Sequence, residues 1–264
     1  NIPNIKLAIS EIHYPLITYT AFSNSSFTTN RTVSNITITD ADGVNTSDGT
    51  KPRLYYKRST DANEYNSNDN STAGWKYVET SSSSTPFSFT IDYSKLNGGT
   101  GVSEGTIIQY FVVAQDLAST PNVGINSGTF NSLPSSVNLT SSAFPIGGYI
   151  RSYTILKGFS GEILVGTGQT YTSLTADAST GLFKAFNDGF ITGNVTVKIT
   201  SDLTETGAVA LNQTNEESLV ENNFTITIQP NDASNKTISG PRNNEGLIRL
   251  NKADRIIFDG RYNN

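Results

Sequence analysis

Apolar and polar residues alternate in three places near the C-terminal end of the chain. Val195-Thr196-Val197-Lys198-Ile199 is the first, Phe224-Thr225-Ile226-Thr227-Ile228 follows 29 residues on, and Ile256-Ile257-Phe258-Asp259-Gly260 about 30 after that. Period-two alternation puts one side of a strand in a core. Its recurrence at one spacing predicts a coil that stacks on itself, a parallel β-solenoid. The rung-like strands are expected at 193–200, 224–229, 236–239, 246–250 and 255–259. One short helix is expected ahead of the first rung, where it would cap the solenoid core. Leu182, Phe183 and Phe186 share a helical face there, with Asp177 and Ser179 as N-cap candidates and Gly189 as the stop.

The N-terminal part reads differently. Its apolar runs are separated by polar turns: Ile9 to Tyr19 (broken by Pro15), Thr32 to Asp40, Arg53 to Lys57, Trp75 to Val78, Pro86 to Tyr93 and Ile107 to Ala114. Short strands at such intervals predict an antiparallel β-sandwich. Gly147-Gly148 is the expected end of this unit, and Ile150 to Ile155 reads as a further strand. The expected fold is all-β, with a sandwich over 1–150 and, over 151–264, a cap and the first coils of a parallel β-helix.

Composition agrees with this and narrows the function. Only 16% of the 264 residues are charged and 35% are apolar, while Ser, Thr and Asn are abundant. Such a chain suits strands and polar turns better than a helical bundle. It has no Cys, which excludes disulfides, thiolate metal sites and Cys nucleophiles. The formal net charge is −5 and no basic cluster exceeds two residues, which argues against nucleic acid. No apolar run is long enough to span a bilayer. The chain opens on Asn with no leader-like pattern, and is read as a mature segment of a longer protein.

Two sets of residues carry a family resemblance. Asp40-Ala41-Asp42-Gly43-Val44, Leu54-Tyr55-Tyr56-Lys57, Gly74-Trp75 and Ile108 through Asp116 resemble the immunoglobulin-like or fibronectin-III-like modules of large Bacteroidetes surface proteins. Gly166 through Leu174, Ala185-Phe186-Asn187, Ile226 through Pro230, Ile238-Ser239-Gly240, Leu247 through Leu250 and Ala253 through Gly260 resemble the opening of right-handed, pectin-lyase-like parallel β-helices in the same group. The resemblance implies a secreted or cell-surface adhesin or display protein, exported by the type IX system and in some cases linked to gliding motility. Its partners would be surface carbohydrate or another surface protein.

The chemistry-bearing residues are few. His13 is the only histidine, so multi-histidine zinc sites are excluded, and its place near the N-terminus fits a structural or surface role better than a catalytic triad. Lys252, Asp254, Arg255 and Asp259 cluster near the last expected coil, and support the alternative of a polysaccharide lyase or hydrolase. Solvated turn residues account for them more simply, and no catalytic residue is assigned. A surface filament subunit is the third reading.

Calcium is the candidate cofactor, because hard cations take six to eight oxygens from carboxylates, amides and carbonyls. Asp40, Asp42, Asn45 and Asp48 crowd one turn, and form the candidate calcium loop. Asp61, Asn63, Glu64, Asn66, Asn68 and Asp69 crowd a second, and neither has EF-hand spacing. Turn chemistry of Asp and Asn competes with this reading. Tyr55, Tyr56, Trp75 and Tyr77 are a candidate aromatic platform for sugar rings, against a favoured reading as sandwich core and cross-strand pairs. Ten Asn-x-Ser/Thr triplets occur, little more than the composition alone would give.

Overall fold

The computed structural model describes residues 13–218, 222–241 and 245–262. Strands dominate, and one short α-helix occurs among the described residues. The chain divides into two compact units, 1–155 and 156–264.

Among the described residues the first unit holds eight strands: β1 (Leu16–Thr18), β2 (Arg31–Thr39), β3 (Arg53–Arg58), β4 (Lys76–Glu79), β5 (Phe87–Ile91), β6 (Ile107–Gln115), β7 (Val123–Asn126) and β8 (Arg151–Thr154). They form a three-stranded sheet in the order β1-β2-β5 and a five-stranded sheet in the order β4-β3-β6-β7, with β8 also on β6. Every pairing between these strands is antiparallel. Ile17, Ile36, Ile38, Phe87, Phe89 and Ile91 of the smaller sheet share a core with Leu54, Tyr56, Ile108, Tyr110 and Val112 of the larger.

The larger sheet is covered on its other side too. Tyr55, Phe111 and Val113 pack there with Trp75, Val137, Leu139 and Phe144. Burial of both faces explains why β6 reads as a nearly continuous apolar run, and why β3 is buried from Arg53 through Lys57 with no alternation. β8 belongs with the first unit: Ile107↔Thr154 and Tyr110↔Arg151 bind it to β6, and the division between the two units falls after it. The apolar stretch from Ile9 contributes β1 after Pro15, and its first residues lie outside the described ones.

The second unit holds β9 (Gly158–Val165), α1 (Leu182–Asp188), β10 (Phe190–Ile199), β11 (Leu203–Thr204), β12 (Leu211–Asn212), β13 (Ile226–Pro230), β14 (Ile238–Ser239), β15 (Leu250–Asn251) and β16 (Ile256–Phe258). Its ladders are all parallel. One runs β16-β13-β10-β9, with Val195 beside Ile226 and Ile226 beside Ile256. The second pairs β11 with β14, and the third β12 with β15. The chain therefore passes through three ladders in turn and returns to the first one strand further along. Val195, Val197, Ile199, Ile226, Ile228, Leu203 and Leu211 point into one shared core.

Two expectations need correction here. β9 was not expected as a rung: Gly158, Gly161 and the polar Ser160 and Glu162 mask its pattern, yet it pairs along β10 with a register shift between Ile191 and Val195. The helix consequently lies after the first strand of the ladder, not ahead of it. Its N-cap is Gly181, without a side-chain hydrogen bond, not Asp177 or Ser179. A Cβ at Gly181 would sit 1.9 Å from the Ala176 carbonyl oxygen, so the tight arch before α1 admits only glycine. α1 is held instead by its buried face of Leu182, Phe183 and Phe186.

Candidate functional site

The aromatic residues are placed by β3 and by the strand entry at Trp75. Alternation along β3 sends Tyr56 into the core between the sheets and Tyr55 to the opposite cluster. Tyr55, Tyr56 and Trp75 are each 0% exposed. Their polar atoms are spent inside: Tyr55 Oη donates to the Val137 carbonyl (2.9 Å), Tyr56 Oη to the Asp92 carbonyl (2.5 Å), and Trp75 Nε1 to Asn63 Oδ1 (2.9 Å). Burial pushes both phenols well above their ordinary value. Tyr77 is only partly buried, but its ring lies against Tyr55 and under the Arg53 guanidinium at 4.0 Å. The four residues offer no shared face to a sugar, and the platform is replaced by core and cross-strand packing.

The acidic turn is rearranged by the sheets. Asp40 and Asp42 follow β2, and Asp116 follows β6. The bridge between Val44 and Asp116 joins these strand exits and gathers Asp40, Asp42 and Asp116 with carboxylate oxygens within 4.8 Å of one another. Asn45 and Asp48 are not in this group. Asn45 Oδ1 accepts from the Ser47 amide (3.0 Å) and Thr50 Oγ1 (2.9 Å), an Asx turn. Asp48 pairs with Lys51 at 2.7 Å, and that hydrogen bond holds its carboxyl below the usual range.

Within the triad the roles differ. Asp116 is fully buried and accepts from the Ala118 and Asn122 amides (3.3 and 2.9 Å) and from Asn122 Nδ2 (2.7 Å). Asp40 Oδ1 accepts from the Asp42 amide at 2.8 Å, whereas Asp40 Oδ2 is buried with no hydrogen-bond partner. Asp42 is exposed. These oxygens could serve a hard cation, since carboxylates are its preferred ligands. Asp116 was missed as a member because more than 70 residues separate it from Asp42. Only the β2–β6 juxtaposition reveals it.

The second oxygen-rich loop already surrounds cations, and they are lysines. The Lys76 ammonium, buried beneath the loop, donates to the Ser67 carbonyl (2.9 Å) and Thr72 Oγ1 (3.2 Å). Lys57 donates to the Asp61 and Arg58 carbonyls (2.9 and 3.2 Å). Burial pushes both ammonium groups below their ordinary value. Asn63 Oδ1 is taken by Trp75 Nε1 and the Ile146 amide, and Asn68 Oδ1 by the Tyr77 amide. Asp69 accepts from Ser67 and Ser71, and the Ser71 bonds first of all pull its carboxyl down to about 2. The loop is a lysine clamp with its oxygens in use.

The candidates in the second unit are likewise engaged. Arg255 bonds Glu216, Asp254 (2.6 Å) and the Phe224 carbonyl (3.0 Å), and Asp259 pairs with Arg261 at 3.0 Å. Lys252 is exposed on the far end of β15. Glu205 escaped notice in the sequence. It is fully buried and accepts from Ser173 Oγ (2.5 Å), the Leu174 and Thr175 amides (2.7 and 2.8 Å) and Thr175 Oγ1 (2.6 Å). Two amides and two hydroxyls neutralise its desolvation and tie the 173–176 arch to β11. A cleft of about 720 Å³ opens between the 230–238 loop and the segment after β16, with Asp232, Lys236, Phe258 and Arg261 on its walls. His13 lies exposed ahead of β1. No helix among the described residues is long and apolar enough to cross a membrane. Neither a protein-family model, nor a curated protein, nor a solved structure matches the chain, so its sites are read from their own geometry.

Proposed function

We propose that this chain is a non-catalytic segment of a secreted or cell-surface adhesin or display protein. In this reading an immunoglobulin-like sandwich leads into the first coils of a right-handed parallel β-helix, and the whole presents a rigid surface to glycans or partner proteins. The observation that carries the reading is the set of parallel ladders, in which successive strands of the longest ladder lie 31 and 30 residues apart. Such a stack builds length and surface without enclosing a substrate. The carboxylates that enzymatic chemistry would need are instead held by the chain's own donors: Glu205 by four, Asp116 by three, Asp259 by Arg261.

The calcium proposal moves with the geometry to Asp40, Asp42 and Asp116. The buried and unpaired Asp40 Oδ2 supports it, because such an oxygen is costly without a cation or donor. There the ion would act as a staple between the ends of β2 and β6.

Two measurements test the reading. Binding of the labelled chain to arrayed acidic and neutral glycans and to cell surfaces should show retention without product release. Unsaturated oligosaccharides released from an acidic glycan, and lost in Lys252→Ala, would overturn it in favour of a lyase. Calcium titration followed by calorimetry should raise the melting temperature of the wild type and leave Asp40→Asn unchanged. An equal response in both, or none in the wild type, removes the ion from this site.

A further inference from the structure

Two arginines of the first unit carry an uncompensated charge. Elsewhere Arg53, Arg249, Arg255 and Arg261 each pair with a carboxylate, and Arg58 is spent on the Asn97 and Gly101 carbonyls (3.0 and 2.6 Å). Arg31 opens β2 and Arg151 opens β8, and no carboxylate among the described residues pairs with either. Each guanidinium lies over a tyrosine ring instead, Arg31 over Tyr153 at 4.4 Å and Arg151 over Tyr19 at 4.7 Å. Their side-chain hydrogen bonds are long, from Arg31 Nη2 to Ser23 Oγ at 3.5 Å and from Arg151 Nη1 to the Tyr19 carbonyl at 3.4 Å. Arg31 Nη1 and Tyr19 Oη are buried with no hydrogen-bond partner.

The two charges and an exposed ring converge on one place. Burial raises the Tyr110 phenol, and the Phe22 amide and then the Arg151 and Arg31 guanidiniums pull it back, so both cations reach that hydroxyl. The Tyr149 phenol acts on it too, and Tyr149 is 80% exposed. Ser127 fixes this last ring beside Arg151: its hydroxyl donates to the Tyr149 carbonyl (3.2 Å) and accepts from the Arg151 amide (2.6 Å).

We infer that Arg31, Arg151 and Tyr149 form a binding site for an anionic sugar, the uronate or sulfated residue of a glycan chain. The guanidinium forks match a carboxylate or sulfate with paired donors. The Tyr149 ring offers its flat apolar face to the C–H face of the pyranose, which a bare acidic peptide would leave unused. The chain as a whole is negative, at −5, so attraction of a polyanion has to come from a local site. The inference rests on the reading of the chain as a surface-binding protein and gives that reading a ligand class.

The test is retention of the intact chain on immobilised polygalacturonate, dextran sulfate, uncharged dextran and polyglutamate. The two acidic glycans should hold it, less firmly as salt rises, and dextran and polyglutamate should not. Firmer retention on polygalacturonate assigns a carboxylate as the anion, and on dextran sulfate a sulfate. Arg31→Gln and Arg151→Gln should each weaken binding about tenfold, whereas Lys198→Gln, the same charge change in the other unit, should leave it unchanged. Tyr149→Ala should weaken it as well, and at an exposed position it keeps the test decisive should an arginine variant prove misfolded by circular dichroism. Equal retention on dextran, equal retention on polyglutamate, or arginine and Tyr149 variants that bind like the wild type would each overturn the site. If cell surfaces hold the chain while no glycan does, this site fails and the surface reading stands. If nothing holds it, both fail.

Discussion

The two units solve the same problem with opposite materials. The first closes two antiparallel sheets over aromatic side chains. Tyr55 stacks on Phe111 at 5.1 Å, Trp75 meets Phe111 edge-on at 4.7 Å, and Phe22 stacks on Tyr110 at 4.2 Å. The second lays down Val, Ile and Leu in parallel ladders, strand beside strand. Its polar ties also run from coil to coil, as in Asn251 Nδ2 to Asn212 Oδ1 (2.9 Å) and the Thr225 amide to Asn194 Oδ1 (2.9 Å). A closed core gains stability from shape and gives up growth. A ladder spreads stability over neighbours and leaves an edge wherever it stops.

Alkali should separate the two most sharply. Burial is the leading cause that raises Tyr19, Tyr55, Tyr56 and Tyr153 far above the ordinary phenol value, and all four lie in the first unit. Below pH 10 these groups are protonated in both states and stability does not depend on them. Above it the unfolded phenols ionise first, so the unfolded chain binds fewer protons and stability falls as pH rises. Each group contributes about 1.4 kcal/mol per pH unit, so four remove of order 5 kcal/mol per unit. The only tryptophan, Trp75, reports on this unit alone. Its fluorescence should lose the native signal in an alkaline titration while part of the far-ultraviolet dichroism persists. A single coincident transition would show that the units do not unfold independently.

Phe111→Ala should be the next largest effect. The ring is fully buried between Tyr55 and Trp75, and its loss leaves a cavity worth about 3–5 kcal/mol. The tryptophan-detected midpoint in urea should fall accordingly, with the remaining dichroism transition unmoved. Glu205→Ala is the counterpart in the second unit, at about 3 kcal/mol, because the Thr175 and Leu174 amides and two hydroxyls lose their acceptor in the interior. It should shift the dichroism transition and spare the tryptophan signal.

The difference between the units also decides what could be read in advance. β10 and β13 have one face in a core and β16 repeats their spacing, so the alternation was legible and the mutual spacing implied the pairing. β3 and β6 are buried on both faces, so they were legible as strands but not as faces, and Tyr55, Tyr56 and Trp75 could stand equally for platform or core. β9 escaped because glycines at 158 and 161 erase its pattern, and only its partner β10 defines it. In the acidic triad, Asp40 and Asp42 were visible as neighbours, while Asp116 needed the sheet. Asn45 and Asp48 were captured by bonds within five residues, to Thr50 and Lys51, which compete with any shared ion. The charge on Glu205 pointed to the surface by type, and only the 173–176 arch explains its burial.

The smallest expected effect probes the second unit from within. If stability in the ladder is held between neighbouring strands, the cost of trimming a side chain should be smaller where one described strand, not two, flanks it. Ile228 has strands on both sides, through β10 and β16, and is 3% exposed. Ile256 lies on the same face, beside Ile226 in the register, has β13 as its one described neighbour and is half-buried. Ile228→Val should therefore cost about 1 kcal/mol, and Ile256→Val about 0.5 kcal/mol, as read from urea midpoints. Equal costs at both positions would mean that the second unit, like the first, melts as one closed core.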